Sequence, residues 1–222
     1  MPSSTVEDYL KCIFLERQSR SGDLVPMGRL AGALRVTPGT ATTMVKALAE
    51  ARLVDYEPRT GVGLTRAGEK LARRVVRRHR LLEVFLVRIL GLDWSEVHVE
   101  AEELEHAVSE KVLERIDVLL GRPRADPHGD PIPTPRGKLA PAAACSLAAC
   151  ASGKTVRVTR VTDQDAHFLH FIERQGLAPG TKLVVVRRDP DAQAVVIRRR
   201  KRAALALGNA AAEKILVEVE SK

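Results

Sequence analysis

The sequence predicts a mainly α-helical protein with a small amount of β structure: an N-terminal winged helix-turn-helix, a helical middle and a small barrel of strands at the C-terminal end. Three observations predict this fold class. Apolar residues recur at helical spacing between Val6 and Leu119. Two short strand-like runs separated by a turn interrupt them after the third helix. From Thr155 onward the pattern changes to short β-like runs.

The first three helices are predicted from their apolar faces and their caps. The first covers Thr5–Arg17 and the second about Met27–Leu34. The third helix runs to about Arg52. It begins after Thr37, a suitable N-cap, with Pro38 at the first helical position, where its missing N–H leaves no hydrogen bond unmade.

A hairpin is predicted directly after the third helix. Leu53–Glu57 has the pattern of a strand, Pro58–Gly61 of a turn and Val62–Thr65 of a returning strand. Three helices followed by such a hairpin are typical of a winged helix-turn-helix.

Two long helices are predicted next, over roughly Thr65–Leu90 and Ser95–Leu119, with a break at Gly91. Residues 121–153 are rich in Pro, Gly and Ala and predict a connection. Beyond it a short helix is predicted over 165–173, among strands over 156–161, 182–187, 194–198 and 214–219. This pattern indicates a small barrel-like second domain.

The charge distribution restricts the kinds of partner. The 222 residues carry a formal net charge of +8 and a pI near 9.7, divided as +7 over residues 1–80, −7 over 81–120 and +8 over 121–222. A basic protein is expected to bind an anionic partner. Because aromatic residues make up only 3% of the chain, too few for base stacking, double-stranded DNA is favoured over single-stranded nucleic acid.

Cysteine content and hydropathy indicate the compartment. Three cysteines are too few for a disulfide framework, and no apolar run reaches the roughly 18 residues that a membrane span requires. No signal-peptide pattern opens the sequence. We therefore expect a soluble cytoplasmic protein with no membrane partner.

The third helix is the expected DNA-reading helix, because the second helix of a helix-turn-helix enters the major groove. Threonine hydroxyl and methyl groups on its outer face suit contacts with bases and phosphates. Lys46 on this helix and Arg59 in the hairpin turn are expected to contact phosphates. For each residue alone, a solvated polar face is the alternative. The predicted DNA-binding residues are Thr37, Pro38, Gly39, Thr40, Thr42, Thr43, Lys46 and Arg59.

The acidic middle segment contains a pattern typical of a metal site, with an acidic dimer interface as the alternative. Four residues of the second long helix share one helical face, because they lie at i, i+4, i+7 and i+8: His98, Glu102, Glu105 and His106. The preceding helix offers His79 and Glu83 at i and i+4. Carboxylates packed this closely repel one another unless a divalent cation neutralises them.

Four segments carry a resemblance to a known family. They are Glu-Asp-Tyr-Leu at 7–10, Arg-His-Arg-Leu-Leu-Glu at 78–83, His-x-x-x-Glu-x-x-Glu-His at 98–106 and Pro-His-Gly-Asp-Pro-Ile-Pro at 127–133. In order and spacing, over roughly residues 3–140, the sequence resembles the diphtheria toxin repressor / manganese transport regulator family of metal-dependent transcriptional repressors. The segment at 176–181, which leads into a strand, looks like the FeoA-type SH3-like domain that ends many members.

The resemblance implies a homodimeric, metal-activated repressor of operator DNA, which would control metal homeostasis genes. It implies four segments: a winged helix-turn-helix DNA-binding domain over 1–72, a helical dimerisation and metal-binding domain over 73–140, a linker over 141–153, and an SH3-like FeoA-type domain over 154–222.

The resemblance also implies metal ligands, in two sites per chain. The first site would use Asp8, Glu102, Glu105 and His106. The second would use His79, Glu83 and His98, or, as in members with the Pro-His-Gly segment, Glu83, Asp126 and His128. The C-terminal domain of members often adds ligands, for which the candidates are Asp163, Gln164, Asp165 and His167.

Mn²⁺ is the expected metal, with Fe²⁺ as the alternative. Iron-type members place a methionine and a cysteine in the first site, whereas this chain has Asp8 and Glu102, and hard oxygen ligands with imidazole suit Mn²⁺. Manganese-type members often have a glutamate three residues after the aspartate, where this chain has Lys11. We therefore expect two separate sites instead of a two-metal cluster, in a regulator of manganese genes or, alternatively, of iron uptake genes.

Other functions have less support. The sequence contains no His-Glu-x-x-His motif, nucleophile elbow or phosphate-binding glycine loop, so we expect neither a metal-dependent hydrolase nor another enzyme with a small organic substrate. Phe168 and Phe171 are too few aromatic residues for a groove that binds Pro-rich peptides. Repression and activation stay open, because they depend on where the operator lies. The basic run at 198–202 is either a phosphate contact or a solvated turn, and Cys145 and Cys150 have no assigned role.

Overall fold

The computed structural model describes residues 3–18, 22–139, 145–200 and 202–220. The chain forms two units, Met1–His79 with Pro133–Lys138, and Arg80–Ile132 with Leu139–Lys222. Residues 141–144 of the predicted linker, and Lys201 of the basic run, lie outside the described residues. Among the described helices, none combines the length and the apolar character needed to cross a membrane.

The first unit contains the predicted three helices and hairpin. Apolar side chains of all three helices and both strands are buried together, which explains why the short helices are stable. The hairpin is antiparallel, with Val54 opposite Leu64, and an isolated bridge joins Val25 to Val62. The elements are α1 (Ser4–Gln18), α2 (Met27–Ala33), α3 (Pro38–Glu50), β1 (Val54–Glu57) and β2 (Gly61–Leu64).

Helix α4 (Arg66–Arg88) begins in the first unit, and the boundary between the units falls after His79 within it. The Thr65 hydroxyl caps its first turn by accepting a hydrogen bond from the Gly68 N–H at 3.2 Å. Within the first unit, Arg73 and Arg77 of α4 donate hydrogen bonds to the carbonyl oxygens of Gly137 and Pro133, at 2.5 and 2.8 Å.

The single helix predicted over Ser95–Leu119 is wrong, because the structure has two helices there, α5 (Val97–Glu105) and α6 (Glu110–Leu119). Ser109 starts the second: its backbone is extended, and its hydroxyl accepts a hydrogen bond from the Val112 N–H at 3.3 Å. The break leaves N–H groups of the first turn of α6 without a helical partner, and the serine cap accepts a hydrogen bond from one of them. The break therefore costs little free energy. Leu82 and Leu86 of α4 pack in one cluster with Val97, Ala101 and Ile116.

The second unit also contains a six-stranded antiparallel sheet in the order β3-β8-β4-β5-β6-β7. Its strands are β3 (Cys145–Ser146), β4 (Thr155–Val161), β5 (Lys182–Asp189), β6 (Ala194–Arg199), β7 (Ala204–Gly208) and β8 (Ile215–Val219). Two helices and a 3₁₀ turn accompany it: α7 (Ala166–Gln175), α8 (Asn209–Glu213) and Leu147–Ala149. The mainly helical fold class with a small C-terminal sheet is confirmed, although β3, β7 and α8 were not predicted.

Candidate functional site

Helix α4 places a carboxylate in the interior of the second unit. Glu83 has no exposed surface, while Leu82 and Leu86 on the same helix pack against α5 and α6. Burying an ionised carboxylate costs free energy unless a charge or hydrogen bonds compensate it. The groups that surround Glu83 therefore indicate its role.

The loop that follows α6 is folded around Asp126. One carboxylate oxygen, Oδ1, accepts hydrogen bonds from the backbone N–H groups of His128 and Asp130, each at 2.9 Å. Gly129 completes the turn with a φ of +89° and lies so close to β4 that a Cβ atom would collide with the Thr159 carbonyl oxygen. Only glycine tolerates both the positive φ and the close approach to β4. The loop is therefore packed tightly against β4, which fixes the position of the adjacent His128.

His128 is fully buried and its tautomer is fixed by one contact. Its Nε2 lies 2.8 Å from the Trp94 carbonyl oxygen. Because a carbonyl only accepts, Nε2 carries a hydrogen, so in the neutral form of the ring the lone pair is at Nδ1. A histidine that binds a metal commonly donates its other N–H to a backbone carbonyl in this way.

Three ligand atoms converge in the second unit. Nδ1 of His128 lies 3.9 Å from Glu83 Oε2 and 4.0 Å from Asp126 Oδ1, which is too far for hydrogen bonds. Within the described residues, Nδ1 of His128 and Oδ2 of Asp126 are buried and have no hydrogen-bond partner. The three residues offer atoms that all lie within 4.8 Å of one another. This arrangement of two carboxylates and an imidazole lone pair suits a divalent cation.

The arginines beside this cluster lie closer to the negative charge of Asp130 than to that of Asp126. Asp130 is approached by Arg160 at 2.5 Å and by Arg80 at 3.4 Å, whereas Asp126 Oδ2 has Arg80 Nε at 3.6 Å. Burial raises the pKa of Asp126 well above its ordinary value, and the charges of Glu83 and Asp130 raise it further against the effect of Arg80. The surroundings of Asp126 therefore favour its neutral form, and a bound cation would favour its ionised form.

Glu83 also lies beside a second histidine that the sequence singled out. His98 Nδ1 is 3.4 Å from Glu83 Oε1, and His98 Nε2 is 3.5 Å from Glu102 Oε1 one turn further along α5. Glu105 is buried, and its carboxylate lies 3.4 Å from the ring of His106, the residue that follows α5. The other two predicted ligands lie in the first unit: Asp8 is half-buried on α1 and His79 is buried on α4.

The candidate ligands of the C-terminal domain have other contacts in the structure. Partial burial acts to raise the pKa of Asp163, but hydrogen bonds from Lys214 and the Asp165 N–H outweigh it and lower the pKa. Asp165 caps α7, and His167 is exposed. Gln164 donates a hydrogen bond to Asp130 Oδ2 at 3.1 Å, and Asp130 in turn donates its N–H to Asp126.

Sequence reasoning missed the residues that support the cluster. Arg80 and the backbone N–H of Asp130 contact Asp126, and the Trp94 carbonyl orients His128, yet these groups come from three separate segments of the chain. Arg80 and Asp130 each lie in one of the quoted family motifs, which were the available signals. A second group, Asp93, His170 and Glu173, also gathers its ligand atoms within 4.8 Å, and no spacing in the sequence connects it.

The predicted DNA-reading helix α3 presents its threonines at the surface of the first unit. Thr37 caps it by accepting from the Thr40 N–H at 3.2 Å, as predicted. The hydroxyls of Thr42 and Thr43 donate to the carbonyls one turn earlier, at 2.8 and 3.1 Å, so outward they offer methyl groups and acceptor lone pairs. Pro38, Gly39, Lys46 and Arg59 are also exposed.

Comparison with known proteins decides the family. The iron-dependent repressor N-terminal DNA-binding domain matches residues 1–62, the iron-dependent repressor metal-binding and dimerisation domain matches 65–134, and the FeoA domain matches 145–219. The iron-dependent repressor IdeR of Mycobacterium leprae (strain TN) is 30% identical over 207 residues, 87% of this chain and 88% of that protein. The chain belongs to the iron-dependent repressor family.

Solved structures of this family include manganese-dependent members. A manganese-dependent transcriptional repressor in complex with manganese is 41% identical, with a TM-score of 0.88, and the alignment covers 97% of this chain and all of that one. The structure of ScaR with bound Zn²⁺ is 33% identical, with a TM-score of 0.77 over 98% of this chain and 99% of that chain. The predicted resemblance to this repressor family, including the FeoA-type domain, is confirmed.

Proposed function

We propose that the protein is a metal-dependent, DNA-binding transcriptional repressor in which Glu83, Asp126 and His128 hold a divalent cation. The observation that carries this proposal is the buried Nδ1 of His128, whose lone pair faces two carboxylates. A divalent cation would be bound by two carboxylates and one imidazole nitrogen, a donor set that such ions accept.

Mn²⁺ is the metal we propose, with Fe²⁺ as the second candidate. The donor set consists of carboxylate oxygens and one imidazole, which suits Mn²⁺ better than a thiolate-containing set would. The 41% identical repressor in complex with manganese supports this choice, while the similarity to an iron-dependent repressor keeps Fe²⁺ as the alternative.

A separate site, the one named first in the sequence analysis, is proposed from the family resemblance. It would use Asp8, Glu102, Glu105 and His106, and His98 beside Glu83 would contribute to whichever site Glu83 serves. Because Asp8 belongs to α1 of the DNA-binding unit, binding of the cation there would make DNA affinity depend on metal, and linkage requires the dependence to be reciprocal. We therefore expect two bound metal ions per chain.

DNA binding is proposed through α3 and the hairpin. The exposed side chains of Thr40, Thr43 and Lys46 on α3 support this proposal, and Arg59 lies in the hairpin turn. The protein would act as a homodimer, because exposed apolar side chains accumulate on α5, on α6 and directly after α4 in the second unit: Ile89, Leu90, Val99, Val112, Val118 and Leu119. Sedimentation equilibrium that gave only a monomer would contradict this part.

Calorimetric titration with Mn²⁺ tests the proposed cation site. The wild-type chain should bind two ions, whereas Asp126→Ala should lose one of them and leave the fold intact by circular dichroism. Asp191→Asn, in the exposed turn between β5 and β6, is the matched control and should bind two. If Asp126→Ala bound Mn²⁺ as the wild type does, the site would lie elsewhere. Repeating the titration with Fe²⁺ under anaerobic conditions ranks the two metals.

The proposed role is regulatory and involves no catalysis. We expect a cytoplasmic protein that does not hydrolyse generic esters or phosphoesters with any of these metals. Metal-stimulated turnover of such a substrate that disappeared in Asp126→Ala would favour the hydrolase alternative.

A further inference from the structure

Two cysteines that the proposed function does not use lie side by side in the second unit. The Sγ atoms of Cys145 and Cys150 are 3.7 Å apart. Cys145 is in strand β3, where it pairs with Val217 of β8, and Cys150 follows the 3₁₀ turn. The turn reverses the chain between them, which brings the two side chains together.

Local structure holds this arrangement. The Ser146 hydroxyl accepts a hydrogen bond from the Ala149 N–H at 3.2 Å, and the Cys150 N–H donates to the Leu147 carbonyl at 3.3 Å. Leu147, within the turn, is fully buried in the hydrophobic core beside the sheet and anchors the turn there. The approach of the thiols therefore follows from an ordered turn that is tied to the core.

The two thiols differ in their surroundings. Cys150 is buried, with 3% of its surface exposed, and contributes to the hydrophobic core. Burial, together with the hydrogen bond to Cys145, raises the pKa of the Cys150 thiol. Cys145 is exposed, so packing does not account for a cysteine there. An exposed thiol next to a buried one is the arrangement of an attacking and a resolving cysteine.

We propose that Cys145 and Cys150 are a thiol oxidation site, at which a hydroperoxide converts the pair to an intrachain disulfide. The Cys145 thiolate attacks the outer peroxide oxygen, the O–O bond breaks, and the leaving alkoxide or hydroxide takes up a proton; Cys145 becomes a sulfenic acid. The Cys150 sulfur, after losing its proton, attacks Cys145 Sγ and expels hydroxide, which leaves as water. Two thiols are oxidised, and the peroxide takes up the two electrons.

The geometry suits the second step. A disulfide requires the sulfurs to approach to about 2.05 Å, and from 3.7 Å this needs side-chain rotation in an already formed turn. The product would tie the edge strand β3 to the end of the 3₁₀ turn at the start of the sheet.

Peptide mapping of the full-length protein tests the proposal. Cys145 and Cys150 fall in one tryptic peptide, 139–154, and Cys12 in another, 12–17, so the three thiols are read separately. After equimolar H₂O₂, denaturation and alkylation with N-ethylmaleimide, peptide 139–154 should lack two hydrogen atoms and carry no label, while Cys12 stays labelled. A doubly labelled peptide 139–154, a sulfinic acid on Cys145, or a disulfide between two chains would each overturn the proposal.

Single variants assign the two roles. Cys150→Ala should stop at the sulfenic acid of Cys145, which dimedone traps, and Cys145→Ser should slow peroxide consumption by about tenfold or more, because a thiol with a raised pKa provides little thiolate. Cys12→Ser is the matched control and should react as the wild type does. Equal peroxide consumption by Cys145→Ser and wild type would contradict the assignment. The wild-type peptide map decides the proposal even if Cys150→Ala does not fold.

Discussion

The Nε2 atom of His128 donates a hydrogen bond of 2.8 Å to the carbonyl oxygen of Trp94, and the two rings stack with their centroids 5.5 Å apart. This contact places a hydrogen on Nε2, so that in the neutral ring Nδ1 offers a lone pair toward Glu83 and Asp126. The proposed cation site follows from this relationship, because two carboxylates and an imidazole nitrogen form a donor set that suits a divalent cation.

Replacing His128 should remove one ligand of the site. We expect His128→Gln to weaken Mn²⁺ binding at that site by more than the roughly 10–100-fold that loss of an outer hydrogen bond costs. Calorimetric titration measures the change. Asp191→Asn, in the exposed turn between β5 and β6, is the control and should leave the affinity unchanged. An equal loss in both variants would indicate a non-specific effect of substitution.

Stability of the metal-free protein should fall as the pH rises, through Asp126. Its pKa is raised in the folded state, mainly by burial and then by Glu83 and Asp130. The folded state therefore keeps a proton that the unfolded state, with a pKa of about 3.9, has released. The stabilisation is fully present below the unfolded pKa and is lost as the pH rises through the folded pKa.

Urea denaturation in the presence of a chelator, from about pH 4 upward, measures this effect. Asp126→Asn does not ionise, so its stability should depend less steeply on pH than that of the wild type. Saturating Mn²⁺ should reverse the trend for the wild type, because the cation binds the ionised carboxylate. Parallel pH profiles of the two metal-free proteins would show that Asp126 does not titrate as described.

The backbone at Gly129 should tolerate no side chain. Gly129→Ala would place a Cβ against the Thr159 carbonyl oxygen at a φ of +89°, and we expect a loss of about 1–3 kcal/mol in the free energy of unfolding together with weaker Mn²⁺ binding. Gly180→Ala separates the two causes, since Gly180 has a φ of +92° and no atom within 4 Å of the added Cβ. The control should lose stability without losing metal affinity, and a larger loss in the control would contradict the packing argument.

The basic side chains Lys46 and Arg59 of the first unit should contribute to DNA affinity without specifying the base sequence. Lys46→Ala and Arg59→Gly should each lower the slope of log affinity against log salt by about 1, because each removes one phosphate contact. Glycine is the suitable replacement at Arg59, whose φ is +70°. A duplex selected from a random library in the presence of Mn²⁺ serves as the probe for fluorescence anisotropy.

Lys182→Ala is the control for these two variants. Lys182 lies on β5 of the second unit and pairs with Glu220 at 2.7 Å. Its replacement should leave the salt slope unchanged. The placement of the reading helix would be wrong if Lys182→Ala lowered the slope and Lys46→Ala did not.

The sequence predicted those features that depend on local pattern. Apolar spacing located α1 to α4 and the hairpin to within a few residues, and the predicted i, i+4, i+7 set of His98, Glu102 and Glu105 falls within α5. The break before α6 was not predicted, because the apolar face continues through it and only the Ser109 cap marks it.

The support of the candidate metal site could not be predicted in the same way. Asp126 and His128 were named from a family motif, but the tautomer of His128 depends on a carbonyl 34 residues earlier in the chain. The compensation of Asp130 by Arg80 and Arg160 likewise joins three distant segments. Such contacts depend on tertiary packing, and one sequence carries no periodic signal for them.

The dependence of DNA affinity on metal tests the central claim most directly. Fluorescence anisotropy with the selected duplex should be measured in chelator and in saturating Mn²⁺, at one fixed salt concentration. We predict that Mn²⁺ tightens binding by about 5–150-fold, the usual range of coupling between two sites, and that Asp8→Ala loses most of this gain. Equal affinity in chelator and in Mn²⁺ would contradict the account.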